Sequence, residues 1–156
     1  MSPRDPQVIG TLAITLDSIG RKAEAIEAYR ETLKYDPKNG AVLNNLAYLL
    51  ADSGGDLREA LECAQRARDV LPNSAEVMDT VGWIYLKSNM TAPAVELFSY
   101  LVAKYPDSAL FRLHYGMSLA QKGEKGKAVR ELQQALKNGP TKDDEAKIRA
   151  LLEKLR

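Results

Sequence analysis

The sequence holds one cysteine, Cys63, and one histidine, His114, among 156 residues. A lone cysteine cannot form a disulfide within the chain, and it leaves the redox compartment open. Nothing in the spacing brings Cys63 and His114 together, so a thiol–imidazole nucleophile has no support. Metal coordination needs a cluster of His, Cys or carboxylate ligands, and the sequence offers none. No apolar run reaches membrane-spanning length, and Met1–Pro6 has neither a basic leader nor an apolar signal core. One-sided charge is missing too: 22 basic residues against 21 acidic ones leave a formal charge of +1. That balance gives no electrostatic footprint for nucleic acid or an anionic membrane. Gly123-Glu124-Lys125-Gly126-Lys127 has the composition of a phosphate loop but not its spacing or its Ser/Thr after the lysine. It follows a helical pattern rather than a strand, and reads as a turn. These absences predict a soluble chain with no catalytic residue, cofactor, metal, nucleic-acid partner or membrane insertion. The compartment stays unknown: cytoplasm or, if a signal has been removed, periplasm.

What the sequence does have is a period. Prolines stand at Pro37, Pro72, Pro106 and Pro140, separated by 35, 34 and 34 residues, and Ala25, Ala60, Ala94 and Ala128 keep the same separations. Two residue types in step along the whole chain indicate stacked supersecondary units of about 34 residues. Each unit reads as two amphipathic helices. Asp5 and Pro6 open the first as N-cap and first helical residue, and Ile9, Leu12, Ala13 and Leu16 supply one helical face. Ala25, Ile26, Tyr29 and Leu33 follow on its second helix. The second unit repeats this with Leu43, Leu46, Ala47 and Leu50, then Ala60, Leu61, Ala64 and Ala67. Its turn, Ser53–Asp56, holds the extra residue, and Asp56 with Glu59 has the pattern of a capping box. Asn89 in the third unit replaces Gly20 and Gly54, and is expected in the left-handed region.

The fourth unit departs from the pattern at Arg112, where the others have Ile9, Leu43 and Met78. Its stem is expected to lie on the core with the head turned outward. After Pro140 the period stops. Thr141 caps a last helix whose Ile148, Leu151, Leu152 and Leu155 form an apolar stripe, with charge on its remaining sides, as a closing element requires. Glu24, Glu27, Arg58, Glu59, Arg66 and Arg68 on the second helices read as a solvated face, and Cys63 as a small buried hydrophobe.

Within the third unit the order Val81-Gly82, Tyr85, Ala94, Phe98, Pro106 resembles the signature of the tetratricopeptide repeat (TPR) family. The resemblance implies an all-α, right-handed TPR solenoid forming a single domain over residues 1–156. The repeats would span about 6–39, 40–74, 75–108 and 109–140, with a capping helix over about 142–155. It also implies that the first helix of each repeat lines a concave inner side. The runs Leu43–Leu50 and Asp79–Trp83 look like ones common in bacterial TPR proteins, some of which are accessory to envelope assembly, polysaccharide export and protein sorting. TPR domains that clamp the acidic C-termini of heat-shock chaperones use Lys, Arg and Asn at places occupied here by Gly10, Ile14, Asn45, Glu76 and Thr80. Only Asn45 fits, and Glu76 would repel a carboxylate.

One position on the first helices carries Ile14, Tyr48, Trp83 and Met117, each about 100° beyond the core pair that precedes it. Such a stripe is expected either to form a peptide-binding floor, with Trp83 partly exposed, or to pack between neighbouring helices and stiffen the stack. Trp and Tyr give contact area, and Met adapts its shape. Around it Asn44 and Asn45 can pair with a ligand backbone, and Asp79, Thr80, Lys87, His114 and Gln121 complete the candidate rim.

The function these features predict is a non-catalytic scaffold that binds a peptide or helical segment of a partner protein. A substrate-recruiting module of a larger enzyme or of an envelope export or assembly machine is one alternative, and a self-associating spacer another. The first repeat looks like an interior one and has no cap. This predicts a segment of a longer solenoid, or a first helix that docks onto something, including a second copy of the chain.

Overall fold

The computed structural model describes residues 5–156, so the reading of Met1–Arg4 as lacking a leader lies outside the described residues. Helices fill most of the remainder: α1 (Pro6–Ser18), α2 (Lys22–Tyr35), α3 (Gly40–Asp52), α4 (Leu57–Val70), α5 (Ala75–Lys87), α6 (Thr91–Lys104), α7 (Ala109–Lys122), α8 (Lys125–Lys137) and α9 (Lys142–Leu155). No strand occurs among the described residues, and the fold is all-α.

Local chemistry sets the boundaries. The Asp5 side chain accepts from the Gln7 N–H at 2.9 Å, and Pro6 follows as a residue that needs no N–H partner. Asn39, Ser108 and Thr141 cap α3, α7 and α9 in the same way. Asn89 has φ 57° and ends α5 in the left-handed region, as its place in the period predicts. Gly123 closes α7 with φ 90°, a conformation that a Cβ would strain. The capping box at α4 is only half made. Asp56 accepts from the Arg58 and Glu59 N–H groups, but the Glu59 carboxylate turns away to the Arg30 guanidinium of α2 at 2.6 and 2.8 Å.

The chain divides into two compact units, one ending at Ile84 and the other running from Tyr85 to Arg156. In the first, α1 pairs with α2, α3 pairs with α4, and α2 packs on α3. Its core is built of Ala13, Leu16, Ala25, Tyr29, Leu43, Leu46, Ala47, Ala60, Ala64, Val77, Val81 and Ile84. The alanines let helices approach closely, and the larger side chains fill what remains. Two expectations need correction here. Leu12 is not core: it is 51% exposed, because no helix covers that side of α1 among the described residues. Nor is the charged side of the second helices merely solvated. Arg30 joins Glu59 across α2 and α4, and Arg66 donates to the Pro37 carbonyl at 2.7 Å.

In the second unit α7 packs on α6, α8 and α9, and α9 also lies on α8. Gly116 of α7 is where α8 comes closest, for a Cβ built there would stand 2.7 Å from Leu132 Cγ. Ile148 of α9 is fully buried with Leu113, Leu132 and Ala135, and Leu151, Leu152 and Leu155 pack against that cluster. Arg112 does not turn outward. Its guanidinium meets Glu131 of α8 at 2.6 Å and donates to the Pro106 carbonyl at 2.8 Å, because a carboxylate 19 residues away offers a partner beside the core.

Candidate functional site

The candidate residues do not share one environment. In the first unit Ile14 of α1 is 53% exposed, while Asn44, Asn45 and Tyr48 of α3 are half-buried. Asp79, Thr80 and Trp83 of α5 are buried. The rings of Tyr48 and Trp83 stack with centroids 6.3 Å apart and planes inclined by 24°. This arrangement follows from the period, which sets Tyr48 on α3 and Trp83 on α5 at equivalent turns. Trp83 is 6% exposed rather than partly open, since Tyr48 lies against its ring. The Thr80 hydroxyl is spent within its own helix, donating to the Glu76 carbonyl at 3.0 Å. Glu76 itself is held below the usual carboxylate range by the backbone N–H it accepts from and by the Ser74 hydroxyl.

The two asparagines differ. Asn45 hydrogen-bonds the hydroxyl of Tyr29, a buried ring on α2 that also faces Asp17 of α1. Burial, and secondarily the Asp17 charge, pushes the Tyr29 phenol up to about 12. Burial likewise raises Asp17 above its ordinary range, an effect opposed by the Lys22 ammonium. Lys22 in turn reaches Asp52 at the end of α3 at 3.3 Å. Asn44 behaves otherwise: its Oδ1 is shielded and accepts no hydrogen bond among the described residues. Sequence reasoning missed the meeting of Asn45 and Asp17 at the Tyr29 hydroxyl. Its signal was a tyrosine on a core face, a position where the hydroxyl must find a polar partner.

In the second unit Lys87 and Gln121 are exposed. The Gln121 amide donates to Asn89 Oδ1 at 2.7 Å and reaches the Leu86 carbonyl at 3.4 Å, so it secures the end of α5. His114 is buried, its ring 5.5 Å from that of Phe98 and tilted by 51°. Met117 is half-buried and packs on the cluster of Leu113, Leu132, Ala135 and Ile148. Cys63 is buried, and burial lifts its thiol to about 11, which keeps it protonated and unreactive near neutrality. Within the first unit, then, the structure brings Tyr48 and Trp83 together beside Asn44 and Asn45. It sets His114 and Met117 against the interior of the second.

A family model described as Tetratricopeptide repeat matches residues 11–139. A TPR repeat-containing protein, PA4667, of Pseudomonas aeruginosa is 27% identical over 105 residues, which cover 67% of this chain and 18% of that protein. The photosystem I assembly protein Ycf3 of a Synechococcus strain is 37% identical over 76 residues, or 47% of this chain and 43% of that one. The chain therefore spans less than half the length of either relative. Among solved structures, a thermophilic TPR protein of Thermus thermophilus superposes with a TM-score of 0.82 at 23% identity, covering 97% of this chain and 81% of the other. A TPR protein of Parabacteroides merdae gives 0.83 at 12% identity, covering 96% and 58%. MamA of Desulfovibrio magneticus gives 0.72 at 18%, covering 99% and 94%. At these identities the likeness is one of fold.

Proposed function

Because this chain belongs to the tetratricopeptide repeat family, a class of protein-interaction scaffolds, we propose that it is a non-catalytic module that holds a segment of a partner protein against α1, α3 and the first turns of α5. The observation that carries this reading is the Tyr48–Trp83 stack, set in repeat register with the exposed Ile14 and flanked by Asn44 and Asn45. Tyr48 offers a broad ring whose partner, Trp83, is already fixed, so little side-chain freedom is lost when a ligand docks. Ile14 offers an apolar contact at an equivalent turn. Asn44 and Asn45, half-buried one helical turn before Tyr48, flank the stack with amides of the kind that pair with a ligand backbone. The inferred ligand is a short apolar or aromatic segment bound at about micromolar strength, since a modest surface must offset the ordering of a flexible peptide.

Ycf3 is named for photosystem assembly. In keeping with that relative, the inferred partner is a subunit held before or during its incorporation into a larger complex.

A displayed peptide library selected against the chain tests the proposal. Binders should perturb the emission of Trp83, the only tryptophan. Tyr48→Ala should weaken them at least tenfold, whereas Tyr100→Ala, an exposed residue of α6, should not. Selection of no binder, or binding indifferent to Tyr48→Ala and Ile14→Ala, would overturn the reading. Binding lost equally with Tyr100→Ala would move the site elsewhere.

A further inference from the structure

We infer, on the footing of the docking site proposed above, that the partner segment is basic: beside its apolar or aromatic anchor it carries a lysine or arginine that meets Glu76. Charge in the first unit is sorted by helix. The basic residues of its helices, Lys22, Arg30, Lys34, Arg58, Arg66 and Arg68, all stand on α2 and α4, where an equal number of acidic residues balances them. On α1, on α3 and on α5 as far as Ile84, the charged residues are Asp17, Asp52, Glu76 and Asp79, every one an acid. Lys87, the first basic residue of α5, belongs to the second unit. The helices that form the candidate site are therefore neutral or negative within their unit, and a field of one sign favours a ligand of the other.

The four acids differ in what they can still bind. Asp17 is partly buried beside Lys22 and Tyr29, Asp52 reaches the Lys22 ammonium at 3.3 Å, and Asp79 is buried. Glu76 is exposed. Its carboxylate accepts from the Ser74 hydroxyl at 2.9 Å and from its own backbone N–H, and it has no cationic partner among the described residues. Those two bonds favour the ionised form and leave about half of a carboxylate's roughly four acceptor sites for an ammonium or guanidinium. Its place fits the site as well. Glu76 precedes Trp83 by two turns on the same side of α5, about 10 Å along the helix. At the equivalent positions of α1 and α3, Gln7 and Ala41 are exposed and uncharged, so Glu76 alone sets an ion at that level of the stripe.

Two displayed peptide libraries test this on the full chain, each built around a phenylalanine or leucine anchor. One admits only Lys and Arg as charged residues, the other only Asp and Glu, and dissociation constants are read from Trp83 emission. The best basic binders should be about tenfold tighter than the best acidic ones, and added salt should weaken them. Glu76→Gln, which keeps an acceptor for Ser74, should weaken the basic binders about threefold, and Glu76→Lys should turn the preference toward the acidic library. Glu62→Lys, the same change of charge on an exposed residue of α4, should leave the preference as it is. Helicity and urea midpoints are compared throughout, because Glu76 also favours α5 from its first turn. If Glu76→Lys unfolds, Glu76→Gln decides alone. Equally tight binders from both libraries, tighter ones from the acidic library, or basic binders unweakened by Glu76→Gln would overturn the basic ligand, while their loss in Tyr48→Ala would keep the docking site. A preference moved as far by Glu62→Lys would belong to net charge and overturn the inference too. No binder from either library would overturn both readings.

Discussion

Single side chains carry interactions here that their positions in the period do not announce. Arg112 is the clearest. It stands where sister repeats have apolar residues, and Glu131 and the Pro106 carbonyl make that tolerable. Arg112→Ala would strand the Glu131 carboxylate in a mostly shielded place, at a cost of about 2 kcal/mol measured by urea unfolding. Arg112→Met with Glu131→Leu should recover most of it, since an apolar pair fits the environment seen in the other units. Tyr29 makes a second test, by pH. Its phenol titrates near 10 when unfolded and is raised to about 12 in the folded chain. Between these values the folded state holds a proton that the unfolded state has released, so stability is intact below pH 10 and falls as pH rises toward 12. Tyr29→Phe should reduce this alkaline loss, at a cost of about 1 kcal/mol at neutral pH for the bonds given up. An unchanged alkaline slope in Tyr29→Phe would mean that another group is responsible.

At the scale of the helix, much was legible. Caps at Asp5, Asp56 and Thr141 and the left-handed Asn89 follow from backbone groups that must be satisfied locally, so a few residues suffice to read them. The helix faces were legible wherever a neighbour exists. What could not be read depends on residues far apart in sequence: Glu59 chooses Arg30 over its own cap, Trp83 is closed by Tyr48, and Leu12 is exposed because no helix among the described residues covers it. The candidate site suffered most, because a stripe in register says which residues are equivalent but not what lies over each. Close helix contact gives a prediction at this scale. A methyl on Gly116 would gain about 1 kcal/mol of helix propensity, but it would push into the buried Leu132, where overpacking costs about 1–3 kcal/mol. Gly116→Ala should therefore be neutral to destabilising, and adding Leu132→Val should relieve it. Gly116→Ala more stable than wild type would show that α7 and α8 can part without cost.

At the scale of the whole stack, α1 and α9 present different outer faces among the described residues. Helix α9 lays Ile148 on the last hairpin and turns charge to water, whereas α1 shows water a face like those buried in α3 and α5. In a stacked array stability is close to a sum of hairpin and nearest-neighbour terms, so an element with one neighbour opens before an element with two. Hydrogen exchange at high dilution should then find the α1 amides less protected than those around Leu46, by a margin of about 1–3 kcal/mol in opening free energy. Amides of α1 as well protected as those around Leu46 would show that contact with α2 alone is enough to hold the helix.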